Sequence, residues 1–250
     1  MPVTYPLVLL HALPLDARMW AAQIQALGRD GTVLAPDLPG FGSAAPAQAS
    51  VDVWARDVAA ALRARGLTKA VFAGCSMGGY VALACLRTDP DLVAGIALIG
   101  SRAAADSEAQ RAARLSVIQR INSEGAGPWA GEFVQRALSP STVDRKPDVV
   151  DAVRRIAASQ PAASIMAAQR ALAERPDSTG LWVKGPRFEK LIIHGNDDNF
   201  VPLDEATALA NESATDVVVV RDAGHLAPME QPARVSAAIG ELWLRCGPSG

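Results

Sequence analysis

The chain has 250 residues, half of them hydrophobic, with 24 Lys or Arg against 26 Asp or Glu, a formal charge of -2 and a pI near 5.9. That length suits one large α/β domain, while a near-neutral charge without a Lys/Arg run argues against nucleic-acid or anionic-membrane partners and points to a small molecule. No stretch comes near the roughly 20 uninterrupted apolar residues of a membrane span, and Met1-Pro2-Val3-Thr4-Tyr5-Pro6 carries no basic region, so a cytoplasmic protein is expected.

Apolar runs of strand length fall at residues 7–10, 32–35, 70–73, 95–99, 191–193 and 216–220. They are continuous rather than alternating, which suits parallel strands covered on both faces. Helical stretches at 16–27, 51–65, 77–88, 203–210 and 232–244 separate or follow most of them. This order predicts an α/β fold: a doubly wound, mostly parallel sheet of about six strands with helices on both faces. The alternation breaks at 101–185, which is rich in Ala, Arg and Gln and is cut by prolines 128, 140, 147, 161 and 176. A helical cap insertion is expected there, leaving 1–100 and 186–250 as the core. The cap holds more basic than acidic residues, which would favour anionic substrates, although arginines on solvated helix faces are the commoner cause of such a bias. Cys246-Gly247-Pro248-Ser249-Gly250 reads as a frayed tail.

The segment Val71-Phe72-Ala73-Gly74-Cys75-Ser76-Met77-Gly78-Gly79-Tyr80 ends an apolar run on a G-x-S-x-G pentapeptide and continues as a helix. A serine on such a strand-to-helix turn is a candidate nucleophile, provided a general base and an orienting carboxylate lie within reach. His225 follows the last predicted strand and is the candidate base, while Asp198, after the strand at 191–193, is the candidate acid. Each leaves the C-terminal edge of the sheet, where open α/β sheets place ligands. Asp197 is adjacent but less favoured, His194 is expected to be a packed core residue, and His11 is expected to shape the loop that follows it. An oxyanion would be met by the backbone N-H of Met77 and by one from His11-Ala12-Leu13-Pro14-Leu15-Asp16, taken as Leu13, with Asp16 as a helix cap. Cys75, one position before the apex, should point into the fold. The cysteines at 75, 85 and 246 form no C-x-x-C pair, and with three histidines in the chain neither a metal nor a cofactor is expected.

Together these residues resemble the α/β-hydrolase superfamily along essentially the whole chain. His11-Ala12-Leu13-Pro14 resembles its His-Gly-x-Pro loop, with Ala12 in place of glycine, and Pro36-Asp37-Leu38-Pro39-Gly40-Phe41-Gly42-Ser43 its Asp-x-x-Gly-x-Gly-x-Ser loop. Gly195-Asn196-Asp197-Asp198 and Gly224-His225 match the acid and base loops. Leu13-Pro14-Leu15-Asp16-Ala17-Arg18-Met19-Trp20 and Glu230-Gln231-Pro232 are similar to the branch of 3-oxoadipate enol-lactonases, small carboxylesterases and cofactor-free haloperoxidases. The two antiparallel strands that open many members are not expected. The resemblance implies a serine hydrolase acting on a small carboxylic ester or lactone through an acyl-enzyme. The alternatives are perhydrolysis or C-C bond cleavage by the same Ser76, Asp198 and His225, or a slow-turnover binding protein. Trp129, Phe133, Met166 and Trp182 are candidate pocket walls, together with Met77 and Leu13. The oligomeric state is left open.

Overall fold

The computed structural model describes residues 5–29 and 31–247. Six strands form one sheet: β1 (Leu7–Leu10), β2 (Val33–Leu34), β3 (Ala70–Cys75), β4 (Val93–Ile99), β5 (Glu189–Gly195) and β6 (Val217–Val220). Their order is β2-β1-β3-β4-β5-β6, and every neighbouring pair is parallel. The central strands β3 and β4 are buried along their whole length, as their unbroken apolar sequences require.

Alternate residues of each strand feed two cores. Val8, Leu10, Phe72, Ile96, Leu98 and Ile192 face one; there they meet α2 (Val51–Arg63), α3 (Met77–Thr88) and α10 (Leu203–Ser213). Leu7, Leu9, Ala73, Ala97, Ile99 and Ile193 face the other, with α1 (Ala21–Leu27) and α12 (Pro232–Arg245). The residues expected to open α1 form instead a 3-10 turn, Ala17–Trp20, whose first amides are met by Asp16: its Oδ1 accepts from Arg18 N at 3.0 Å.

From β1 the chain moves to one side of the sheet, and from β2 it returns across β1 to β3 on the other. The loops leaving β1 and β3 therefore diverge at their C-terminal ends, opening a crevice at this switch point. Between β4 and β5 lie α4 (Glu108–Glu124), α5 (Ala126–Ala137), α6 (Pro140–Arg145), α7 (Pro147–Ala158), α8 (Ala162–Ala173) and α9 (Thr179–Lys184). Prolines 140 and 147 open α6 and α7, where a missing N-H costs nothing. Ser107 caps α4 through a reciprocal pair with Gln110.

The expected frayed tail needs correction. Cys246 is buried, with its Sγ 3.7 Å from the Ala94 carbonyl oxygen, so the last turn of α12 is packed against β4. Residues 248–250 of that tail and residues 1–4 of the opening segment lie outside the described residues. No helix among the described residues is long and apolar enough to cross a membrane.

Candidate active site

Ser76 occupies the apex between β3 and α3 with φ 49 and ψ -110, a backbone conformation that a residue bearing a side chain adopts only under strain of about 1–3 kcal/mol. Close backbone packing holds it there. A Cβ at Gly74 would collide with the Gly78 carbonyl, and one at Gly78 with the Leu10 carbonyl of β1, so the turn closes only with glycine at both places. The Ser76 N-H donates to Ile99 O at 2.8 Å, and its carbonyl accepts from Gly79 N at 2.9 Å and from Ser101 Oγ at 3.0 Å. The side chain borders a cavity of about 420 Å³, which His225, Leu13, Tyr80, Trp129, Phe133 and Phe200 also line.

His225 lies on the loop between β6 and α11 (Ala227–Glu230). Its backbone N-H donates to Ala137 O at 2.8 Å, and its Nδ1 is 2.8 Å from Asp198 Oδ2. The Asp198 side chain is fully buried, which opposes its ionisation. That penalty is outweighed by His225 beside it and by amides of Phe200 (2.7 Å) and Val201 (3.0 Å) that donate to Oδ1, so the carboxyl stays below its ordinary range. An ionised acceptor places the imidazole proton on Nδ1 and leaves Nε2 without one, on a residue that lines the same cavity as Ser76.

Two further residues bear on this pair: Gly100, which lies in no sequence motif, and Glu230 of the Glu230-Gln231-Pro232 segment. Gly100, at the end of β4, has φ +51, and a Cβ there would sit 3.1 Å from Asp198 Oδ2 and 3.2 Å from His225 Nδ1. Glu230 is fully buried; one oxygen accepts from Gly224 N at 2.8 Å and the other from Ser139 N at 2.7 Å, tying the His225 loop to the α5–α6 junction.

The loop after β1 is equally constrained. Leu15 N donates to Ala12 O at 2.8 Å, and His11 Nε2 accepts from Leu38 N at 2.9 Å, so His11 braces the Asp37-to-Gly42 loop. Burial lowers the His11 pKa, keeping the ring neutral as that acceptor role requires. Ala12 is not among the residues with positive φ, so a side chain there costs no backbone strain. The Met77 N-H is a first-turn amide of α3, without an acceptor inside the helix. Gln160, just beyond α7, donates to Asp16 Oδ2 at 2.7 Å and accepts from Gly42 N at 3.1 Å, joining three segments.

The expected wall residues divide. Trp129 and Phe133 line the cavity, their rings 5.8 Å apart, and Phe133 continues to Phe200 at 5.7 Å. Trp182 does not. Fully buried, it meets Phe188 edge-on, and its Nε1 donates to Ser213 Oγ at 3.0 Å, filling the contact of α9 with α10. Met166 packs against the core of α2 and α3, and the Met77 side chain is fully buried within that core. Helical periodicity identifies an apolar face but not which cavity it borders, hence the corrections at Met166 and Trp182; at Met77, following Ser76 fixes the backbone N-H beside the site and not the side chain. His194 is buried, with Nε2 donating to Val201 O at 2.9 Å, and burial lowers its pKa. Cys75 is fully buried, its Sγ 3.7 Å from His225 O and its thiol pKa pushed far up by that burial. Phe200, whose ring is 4.7 Å from that of His225, is a site residue without a sequence signature, since an aromatic two residues after an acid carries no signal of its own.

The model of the alpha/beta hydrolase family matches residues 7–238. Among solved structures, a thermophilic esterase from Thermogutta terrifontis, with malate bound, is 39% identical, with a TM-score of 0.91 over 98% of this chain and 91% of that one. The enol-lactonase from Burkholderia xenovorans LB400 has a TM-score of 0.87 at 22% identity, over 96% and 92%, a likeness of fold. In sequence, the 2-hydroxymuconate semialdehyde hydrolase of Pseudomonas sp. (strain CF600) is 26% identical over 95% of this chain and 86% of its own.

Proposed function

The chain belongs to the alpha/beta hydrolase family, and from that membership we propose that it hydrolyses a small carboxylic ester or lactone through an acyl-enzyme on Ser76. The observation that carries this reading is the imidazole of His225, bonded through Nδ1 to a buried ionised Asp198 while it lines the same cavity as the strained Ser76. Ser76 Oγ attacks the carbonyl carbon as His225 Nε2 takes its proton, and the carbonyl electron pair moves onto oxygen, which the N-H groups of Leu13 and Met77 receive. Collapse breaks the bond to the alkoxide, which leaves with the proton held by His225. Water, deprotonated by the same nitrogen, then releases the acid and restores Ser76. Asp198 keeps the imidazole in one tautomer throughout. Residues 101–185 act as a cap whose Trp129 and Phe133 bound the substrate. The similarity to an esterase at 39% identity supports ester chemistry.

The test is Ser76→Ala assayed on p-nitrophenyl acetate and butyrate: the variant should lose at least about a thousandfold in kcat, and full retained activity would refute the mechanism. The relative named as a semialdehyde hydrolase favours one second reading, in which the same three residues cleave a C-C bond beside a ketone. Product identification on paired ester and diketone substrates separates the two.

A further inference from the structure

Four arginines line the cavity, and their charges are unequally matched. Arg102 pairs with Glu205 at 2.8 Å. Arg114 shares the buried Asp106 with Arg175, so two guanidinium groups stand against one carboxylate. Arg120 takes both oxygens of Glu132, at 2.7 and 3.0 Å. Arg136 is different: no carboxylate among the described residues lies within ion-pair distance of it.

Its isolation has a cause in the sequence. Glu132 stands four residues before Arg136 on α5, where an i,i+4 partner belongs, but it is held by Arg120 across the α4–α5 pair. Arg136 is instead fixed without being neutralised. Its guanidinium donates to Asn199 O at 3.0 Å, Asn199 Nδ2 donates back to Arg136 O at 3.2 Å, and the group lies 4.4 Å from the centre of the Phe200 ring. That ring in turn is 4.7 Å from the imidazole of His225. A planar, preorganised cation with unused N-H donors thus borders the cavity one aromatic ring away from the candidate base. Phe133, Trp129 and Leu172 give the same cavity an apolar lining, a surface suited to a short methylene chain.

We propose that Arg136 is an anion subsite that holds a carboxylate on the acyl part of the substrate, so that the preferred substrates are esters or lactones of short dicarboxylic acids. This rests on the hydrolytic reading of the cavity and adds the substrate class. A guanidinium matches a carboxylate through two parallel N-H donors, and its charge is more weakly hydrated than an ammonium, so pairing costs it less desolvation than it would a lysine.

Monomethyl adipate and dimethyl adipate have the same chain and differ by one charge, and methanol release measures both. The expected result is a kcat/KM about tenfold or more higher for the monoanion. In Arg136→Gln the ratio of the two should fall by a similar factor, chiefly through KM on the anion, with Arg136→Lys retaining part of it. Salt should lower the same ratio in the unmodified protein. A ratio unchanged in Arg136→Gln, or no preference for the anion at the start, would overturn the proposal. Calorimetric binding of adipate reads the subsite without turnover. If neither ester is cleaved yet adipate binding depends on Arg136, the subsite stands and the hydrolytic reading falls. If both esters are cleaved alike and adipate binding is indifferent to Arg136, the subsite falls and the hydrolytic reading stands.

Discussion

Gly100→Ala separates backbone strain from catalytic geometry. At φ +51 an alanine is strained whatever its surroundings, and this alone costs about 1–2 kcal/mol. The new methyl group would also lie 3.1 Å from Asp198 Oδ2 and from His225 O, and 3.2 Å from His225 Nδ1, closer than ordinary contact, so the pair must yield by a few tenths of an ångström. Since a misplacement of about 1 Å costs on the order of a hundredfold in rate, such a shift corresponds to roughly a three- to tenfold loss in kcat. Gly66 supplies the control: its φ is +74, and a Cβ there meets nothing within 4 Å. Both alanine variants should melt lower by about 2–8 °C, since 1 kcal/mol shifts a chain of this size by about 2–4 °C. Only Gly100→Ala should slow turnover of a short p-nitrophenyl ester. Equal kcat in the two variants, with equal Tm losses, would show that Gly100 does not bear on the Asp198–His225 pair.

The pH dependence of stability follows from His11 and His194, both held below their ordinary pKa by burial. The unfolded chain then takes up protons that the folded chain does not, so stability rises with pH and is lost as pH falls below the unfolded value of about 6.5. Urea midpoints should therefore drop between pH 7.5 and 5.5, and His194→Gln should flatten the drop; an unchanged slope would count against that residue. The aromatic residues should also divide by place. Trp129→Ala should change the acyl-length profile of ester hydrolysis, while Trp182→Ala should leave that profile alone and destabilise the fold by about 3–5 kcal/mol, measured by urea unfolding.

The parallel character of the sheet is legible because each central strand is an unbroken apolar run such as Val93–Ile99, the pattern that a sheet buried on both faces demands, whereas the order of the strands across the sheet is not. Asp198 and His225 could be singled out because both follow strands on the same sheet edge, and the contact between them depends on the 2.8 Å approach of two loops. Between β4 and β5 the sequence was less informative. Trp129 and Trp182 occupy similar helical settings, yet one meets the cavity and the other a helix contact, a difference decided by packing between segments far apart in the chain. Arg136 looked like any arginine on a helix, because its isolation arises only when Glu132 turns to Arg120. Gly100 lay in no motif, and its constraint comes from residues 98 and more positions later.

Glu230 bears on any attempt to re-engineer the substrate range by exchanging segments. Its two oxygens serve the amide of Gly224, beside the base, and the amide of Ser139, inside the stretch between β4 and β5. A chimera that replaces residues 101–185 with those of a relative keeps the carboxylate but inherits whatever backbone the donor offers at position 139. Without an N-H there, a buried carboxyl group loses one of its two backbone donors, and the loop bearing His225 is the part free to move in response. A graft ending before Ser139 keeps this clasp intact while still exchanging α4 and α5, the helices that carry Arg120, Trp129, Phe133 and Arg136.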